Sequence, residues 1–451
     1  MKRKYIDFTT GNIGKPLIAF SIPLFLGNIL QQLYSITDAM IVGNLLGPEA
    51  LAAIGATSPI TNLSISLAIG VTLGVSVTVS QFFGANDNDN VRLTISTGYI
   101  FFLFFGIAIM ILGISLTPAI LRLISTPSEI LQDAIAYLRI TFCGTVFLIG
   151  YNVTNSMFRG FGNSKMPLIL LALSTVMNIF LDYILIRFAG MGVDGAALAT
   201  ITSQAIAFIL AFTMFQKNYG DFRLRIRNTR LFSRKILADS LRIGIPSGLK
   251  GSTYWLGFVF ITSVINRFGT ATIAAYSIAA KIDSLLQTPI ISLQNGLSTF
   301  VGQNAGANKP ERIKNGVRTS MSFGMAFAVF MTVAVFCFAH PILSLFTDDP
   351  EVIAIGTDYL RITSIFYIIY ALQEVVQGVA VGVGNTLILL CSTIVAMWVI
   401  RVPLVYLAAD MFGAEGIWWC LPSGWFVAAA FANGYYLSGK WRERIKKKFS
   451  K

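Results

Sequence analysis

Long apolar runs alternate with short polar connections along the chain. Runs of about 20 residues, the length that crosses about 30 Å of hydrocarbon, recur throughout, and the alternating ten-residue strands of outer-membrane barrels are not seen. The pattern therefore predicts an all-α polytopic membrane protein with 12 transmembrane helices. The predicted spans are 17–42, 52–80, 94–118, 136–157, 167–188, 193–216, 242–266, 274–301, 317–344, 354–380, 387–408 and 414–437.

The two halves of the chain repeat the same motifs. QFFGAN at 81–86 returns as QNAGAN at 303–308, and the Gly-Asn pair at 162–163 returns at 384–385 with the same offset in numbering. Four matches near one offset indicate a duplicated six-span unit, and so two pseudo-symmetric six-helix lobes. The other two matches are Ala52-Ala53 with Ala274-Ala275, at that same offset, and Ile22-Pro23 with Ile245-Pro246, which differs from it by one position.

The repeat predicts three domains: an N-lobe at 1–216, a cytoplasmic linker at 217–241, and a C-lobe with a basic tail at 242–451. Each lobe has an even number of spans, so both enter the membrane from the same side. We expect an axis along the membrane normal and a transport cavity between the lobes, as in an alternating-access carrier. The basic linker can lie on anionic lipid as an amphipathic segment, although an ordinary cytoplasmic loop is the favoured interpretation.

Composition supports membrane insertion. Only 12% of the 451 residues are charged and mean hydropathy is +0.70, whereas soluble domains carry about 25% charged residues. The net charge of +13 could suggest a nucleic-acid partner, but the charges lie in short connections and at the termini. With a cytoplasmic N-terminus, 26 of the 34 Lys and Arg residues fall on the cytoplasmic side. The positive-inside rule then predicts a multi-pass protein of the inner membrane with both termini cytoplasmic.

Acidic side chains inside apolar runs are the strongest candidates for chemistry. Asp38 lies near the end of the first span, and Asn178 and Asp182, four residues apart in the fifth span, share one helical face. Charged groups in a membrane usually face a water-filled cavity or an ion pathway. Their oxygen atoms suit a proton or a small hard cation. Asp38 joins this site if the first and fifth spans face one cavity; alternatively, Asp182 caps or hydrogen-bonds a neighbouring helix.

The second half offers weaker candidates. Asp283 lies two residues from Lys281, which can partly neutralise it, and Glu374 lies in the tenth span. For both acids, structural pairing and a role in cation binding stay open. Arg401 occupies the region equivalent to Asn178–Asp182, so the two halves are not chemically equal.

Several enzyme motifs are missing from the sequence. No GxxxxGK[ST], HExxH, GxSxG or CxxC pattern occurs, so ATP is not expected to supply energy within this chain. The four cysteines lie in apolar runs without metal-ligand spacing and are interpreted as packing residues. We expect neither an enzyme nor a bound cofactor.

The motifs jointly resemble the multidrug and toxic compound extrusion (MATE) transporters over nearly the whole chain. The resemblance implies twelve helices in two lobes, with export of organic cations and other drugs in exchange for inward H⁺ or Na⁺. It places the coupling site on Asp38, Asn178, Asp182 and a sixth-helix threonine, Thr200. The motifs that carry it are the opening segment 11–55, the repeated QxxGAN loop, Gly160-Phe161-Gly162-Asn163, NIFLD at 178–182, and GAALAT at 195–200.

The same resemblance bears on the metal and the partners. Na⁺ can occupy the N-lobe residues, whereas Asp283 and Glu374 are the only nearby acids for a C-lobe cation site and match no family motif. The expected partners are small-molecule drugs and membrane lipid, with no nucleic acid, and the expected state is a monomer. The main alternative is a flippase for lipid-linked or polysaccharide precursors from the same superfamily. A membrane enzyme acting on lipids is a third interpretation, for which no catalytic constellation is present.

Overall fold

A computed structural model describes residues 6–224 and 231–449, and this part of the chain is helical without any strand. The basic residues at 1–5 and at 225–230, in the middle of the predicted linker, lie outside the described residues. The helices are α1 Gly14–Leu46, α2 Pro48–Gly84, α3 Asn88–Leu123, α4 Ser128–Cys143, α5 Thr145–Gly160, α6 Lys165–Asp182, α7 Gly192–Asn218, α8 Arg234–Ile265, α9 Thr270–Gly306, α10 Pro310–Leu343, α11 Pro350–Ile365, α12 Tyr367–Gly382, α13 Leu387–Ile394, α14 Val402–Cys420, α15 Ser423–Leu437 and α16 Lys440–Phe449.

Many of these helices are long and apolar enough to cross a membrane. Within the described ranges seven meet this condition, or nine when the bent pairs α4–α5 and α11–α12 each count as one span. The predicted all-α, multi-pass fold class is confirmed. The predicted spans at 242–266, 274–301 and 414–437 correspond to α8, α9 and the end of α14 with α15. These helices are not among the seven that meet the membrane-crossing condition. The reason is that α8 and α9 carry more polar and charged side chains and α15 has only 15 residues.

The fourth and tenth predicted spans are each formed by two helices that meet at a bend. The α4–α5 pair bends by 46° and the α11–α12 pair by 52°. The first break falls at Gly144, where a Cβ atom would lie 2.3 Å from the Ile201 side chain. Close packing at this glycine could not be seen in the local hydrophobic pattern.

The internal repeat extends to helix lengths and turn conformations. α2 and α9 both have 37 residues, and their first residues, Pro48 and Thr270, are separated by the offset of the repeated motifs. The turns that follow them contain Asn86 and Asn308 with φ of 55° and 52°. A π-helical turn follows α6 at Tyr183–Phe188, and another follows α13 at Val395–Arg401.

The described chain packs into two compact units. The first contains residue 6 and residues 26–241, and the second contains residues 7–25 and 242–449. The division falls between residues 241 and 242, and residues 7–25 pack with the second half of the chain. The division into functional lobes at 1–216, 217–241 and 242–451 stays a prediction.

Each unit has its own apolar core. In the first unit the core lies among α2, α3, α5 and α7 and includes Phe158, Phe161 and Phe215. In the second unit it lies among α8 to α12, α14 and α15, with Trp418 and Trp425 among its largest members. The candidate polar residues are therefore held by helices that are packed through apolar contacts on their other faces.

Candidate functional site

The last turn of α6 carries two buried polar side chains on one face. Asn178 and Asp182 have no solvent exposure, and Asp182 is followed directly by the π-helical turn Tyr183–Phe188. Helical turns of this kind occur frequently at functional sites. Within the described ranges, no donor satisfies the Asp182 carboxyl group and no partner satisfies the Asn178 amide. The alternative in which Asp182 has a purely structural hydrogen bond to a neighbouring helix therefore finds no support in this part of the chain.

Asp38 on α1 lies next to Asp182. Their carboxyl groups are close enough for a hydrogen bond between them, although two ionised carboxylates provide no donor for it. Asp38 Oδ1 is also buried and without a partner among the described residues. A shared proton or a bound cation would satisfy these oxygen atoms.

Two tyrosines complete the site and were not predicted. Tyr34 lies one turn before Asp38 on α1 and shares a side-chain hydrogen bond with Thr200 of α7. Tyr137, a buried residue of α4, lies within electrostatic range of both acids. The spacing of four residues between Tyr34 and Asp38 could have identified the first tyrosine. Nothing near Tyr137 in the sequence could have identified the second, because only the packing of α4 places it there.

The site of Asp38, Asn178, Asp182, Thr200, Tyr34 and Tyr137 lies within the first unit. It presents two carboxyl groups, one carboxamide and three hydroxyls, which are oxygen ligands for a proton or a hard cation. No cluster of three or more His, Cys, Asp and Glu side chains with metal-binding geometry occurs among the described residues.

Asp283, in the second unit, has a different environment. Its carboxylate accepts hydrogen bonds from the Tyr367 hydroxyl at 2.5 Å, Gln287 Nε2 at 2.7 Å and the Tyr359 hydroxyl at 3.3 Å. The predicted neutralisation by Lys281 is wrong, because the Lys281 side chain is exposed and these neutral donors occupy the oxygen atoms. Both oxygen atoms of Asp283 thus have hydrogen-bond donors.

The other two candidates of the second unit are Glu374 and Arg401. Glu374 is half-buried and accepts a hydrogen bond from Gln373 Nε2 at 2.9 Å. Arg401 is 3% exposed, its guanidinium lies 5.9 Å from the centre of the Trp425 ring, and its Nε has no hydrogen-bond partner in the described chain. The two halves differ in chemistry at their π-helical turns. In the first unit the turn follows the acid Asp182, and in the second unit it ends at the base Arg401.

Comparison with protein families identifies one matching family model. The MatE model matches residues 23–184 and again residues 246–407. The second match starts and ends at a fixed offset from the first. This offset is the one that separates Ile22-Pro23 from Ile245-Pro246.

Similar proteins have been named in bacteria. The chain is 30% identical over 440 residues, 97% of this chain and 98% of the relative, to "Probable multidrug resistance protein YpnP" of Bacillus subtilis (strain 168). It is 27% identical over 443 residues, 96% of this chain and 94% of the relative, to "Probable multidrug resistance protein NorM" of Thermotoga maritima.

Solved structures also resemble the whole fold. One is described as "Outward-facing conformation of a multidrug resistance MATE family transporter of the MOP superfamily"; its TM-score is 0.90 at 26% identity, with 99% of this chain and 100% of that chain covered. A second, from Pyrococcus furiosus, has a TM-score of 0.87 at 25% identity and covers 100% of this chain and 99% of its own. Its description reads "Reverse polarity of binding pocket suggests different function of a MOP superfamily transporter".

Proposed function

Because the chain belongs to the MatE family of membrane transporters, we propose that it exports organic cations and other drugs by alternating access, in exchange for inward H⁺ or Na⁺. The paired carboxyl groups of Asp38 and Asp182 carry this proposal. They are adjacent, and three of their four oxygen atoms are buried without a hydrogen-bond partner among the described residues. A carrier needs such a site to bind its coupling cation reversibly.

Each residue of the site has a separate proposed role. Asp38 and Asp182 take the proton or Na⁺, and Asn178 offers its carbonyl oxygen to a metal ion or its amide to a carboxylate. Tyr34 joins the Asp38 helix to Thr200 through its hydroxyl group. Since α1 carries both Tyr34 and Asp38, cation binding acts directly on the shape of this helix.

Coupling follows from differential affinity of the two ligands for two conformations. Drug binds while Asp38 and Asp182 are free of the cation, and cation entry from outside reshapes α1, contracts the N-lobe cavity and releases the drug. A ligand shifts a conformational equilibrium only by its difference in affinity for the two states. The cation gradient therefore supplies the energy, and the protein works as a monomer in the inner membrane with both termini in the cytoplasm.

The test is ethidium efflux from everted vesicles or cells with imposed proton and sodium gradients applied separately. We expect efflux from the wild type under one of the two gradients, which identifies the coupling ion. Asp38→Asn and Asp182→Asn should each lower gradient-driven efflux at least tenfold, because the amide neither titrates nor supplies a charge for the cation.

The matched control is Asp133→Asn, which changes an exposed acid of α4 in the same unit. It should retain wild-type efflux at equal expression. Full efflux from both site variants would rule out the assigned coupling site. Absence of dye export by the wild type under either gradient would rule out the proposed transport reaction.

A buried cationic side chain of the second unit favours a second candidate function, which is the flipping of lipid-linked or polysaccharide precursors across the membrane. Arg401 is almost fully buried, and a cationic site suits the pyrophosphate of such precursors. Flipping of a fluorescent phospholipid in proteoliposomes, without a requirement for a cation gradient, would support this alternative over drug export.

A further inference from the structure

Lys250 of α8 is a charged residue in a segment that the sequence predicts to span the membrane, and it is not part of the proposed coupling site. It lies eight residues inside the predicted span 242–266, about 12 Å along the helix axis from its start. Ionisable residues at such depth are costly and are retained where they bind a partner or a ligand.

The direction of the Lys250 side chain argues against simple snorkelling to the membrane surface. Its Nζ donates a hydrogen bond of 2.5 Å to Oε1 of Gln377 on α12, and Gln377 is only 2% exposed. A snorkelling lysine places its ammonium group in the interfacial water. Here the ammonium group points to a buried amide on a neighbouring helix of the same unit.

The ammonium group retains free binding capacity. A lysine has three N–H donors, and Gln377 accepts one of them. Among residues 6–224 and 231–449, no carboxylate lies within 4.0 Å of Lys250 Nζ. The positive charge and two donors are thus available at a half-buried position.

Two acids of the same unit, Glu374 and Asp283, do not serve as its counter-ions. Glu374 lies one turn before Gln377 on α12 and accepts a hydrogen bond from Gln373. Asp283 is held by Tyr359, Tyr367 and Gln287. A lysine with a purely structural role would be expected to pair with one of these carboxylates.

The fold itself does not require a lysine at this place. With the offset that relates Ile22-Pro23 to Ile245-Pro246, Lys250 corresponds to Gly27 of the first half. The first unit has acids at its polar site, whereas the second has a partly available cation. The difference between equivalent positions points to a ligand rather than to helix packing.

We propose that Lys250 and Gln377 form a subsite for a carboxylate of the transported compound, so that zwitterionic drugs with both a cationic and a carboxylate group are preferred substrates. This inference rests on the proposed drug export. The ammonium group supplies the charge, and the Gln377 carbonyl oxygen orients it by accepting one of its protons.

The test uses two dyes that differ in one group. Rhodamine 110 carries a free carboxylate beside its cationic ring system, and rhodamine 123 is its methyl ester. Binding of each dye to the purified full-length protein in detergent is measured by fluorescence anisotropy. We expect the wild type to bind the acid more tightly than the ester, and Lys250→Gln to lower the ratio of the two affinities about tenfold.

Two further variants separate charge from packing. Lys250→Arg retains the charge and should recover most of the preference, whereas Lys281→Gln removes an exposed lysine of the same unit and should leave the ratio unchanged. An equal loss of affinity for both dyes, or an unchanged ratio in monodisperse Lys250→Gln protein, would overturn the subsite. Loss of bound anionic phospholipid from this variant without a change in the ratio would also overturn it, in favour of a lipid phosphate.

The test of the Lys250–Gln377 subsite does not depend on the coupling reaction. Gradient-driven efflux of rhodamine 123 tests the proposed export, while the affinity ratio in detergent tests the subsite without any gradient. A changed ratio without efflux would refute only the export reaction, and efflux with an unchanged ratio would refute only the subsite.

Discussion

At the scale of single residues, the candidate site combines acids that cannot satisfy each other with hydroxyl groups that position them. A buried polar group without a hydrogen bond costs about 1–3 kcal/mol, and Asp38, Asn178 and Asp182 contain several such atoms in the described chain. Tyr34 differs from these residues, because its hydroxyl group has a side-chain partner in Thr200 and so connects α1 to α7. This predicts different consequences for changes to the acids and to the tyrosine.

Tyr34→Phe tests the positioning role. The ring is retained and only the hydroxyl group is lost, so a net hydrogen-bond contribution of about 0.5–1.5 kcal/mol disappears. We expect the cation concentration for half-maximal efflux to rise about 2- to 10-fold, with the maximal rate much less affected. Tyr183→Phe, at a 49% exposed tyrosine of the same unit, is the control; an equal shift in both variants would contradict a specific role for Tyr34.

At the scale of elements, α1 is divided between the two packing units. Residues 7–25 belong to the second unit and residues 26–46 to the first. The chain before α1 is held on the second unit by the repeated QxxGAN motif: Phe8 N donates to Gln303 Oε1 at 2.9 Å, and Asn304 Nδ2 donates to Phe8 O at 3.1 Å. Phe8 itself is buried between Phe20 and Phe300. This gives a structural role to a motif that the proposed transport site does not include.

Arg312→Gln should loosen this attachment. Arg312 donates from Nε to Phe8 O at 2.9 Å and from Nη2 to Thr10 O at 2.7 Å. Because the site is partly exposed, we expect a loss of about 1 kcal/mol, measured as a lower thermal midpoint in detergent and faster proteolysis before α1.

The control for this attachment is Lys314→Gln on the same helix. Lys314 pairs with Glu311 at 2.7 Å in an exposed i, i+3 arrangement, which contributes little to stability. Equal midpoints for the two variants would show that Arg312 does not fasten the N-terminal segment.

At the scale of the whole molecule, duplication has produced two units with the same helices and different charges. The length of α2, the bends and the positive-φ turns of the first unit recur in the second at one common offset in numbering. The first unit nevertheless contains the adjoining acids, and the second contains Lys250 and Arg401. The equivalent positions have thus kept their backbone roles while their side chains have diverged in charge.

Binding of the coupling ion should stabilise the folded protein as a whole. A ligand bound only by the folded state stabilises it by about 2.7 kcal/mol at 100 times its dissociation constant. The thermal midpoint of the wild type in detergent should therefore rise with Na⁺ at constant ionic strength if Na⁺ is the coupling ion, or with proton concentration if it is H⁺. Replacement of Na⁺ by K⁺ controls for ionic strength.

Asp182→Asn should abolish the ion-dependent part of the increase in the thermal midpoint. The difference between wild type and variant isolates binding at the site from other effects of salt and pH. If the two proteins respond in parallel to both ions, the coupling cation does not bind at Asp182.

The sequence by itself determined the features that arise from local interactions. Apolar runs predicted a multi-pass helical fold because a helix satisfies all its backbone hydrogen bonds within one segment of the membrane. The spacing of four residues placed Asn178 and Asp182 on one face, since the helical period alone decides this. The duplication could also be found, because its motifs mark turns whose backbone conformations constrain the residue type.

Only the tertiary structure decided which distant side chains meet. Asp38 and Asp182 lie in different helices far apart in the chain, and their proximity depends on how α1 packs against α6. Tyr137 joins them through α4. Asp283 is held by Tyr359 and Tyr367, which lie 76 and 84 residues away, instead of by Lys281 in its own helix. Packing between helices depends on side-chain shapes along their entire length, and this information is not present in any local pattern.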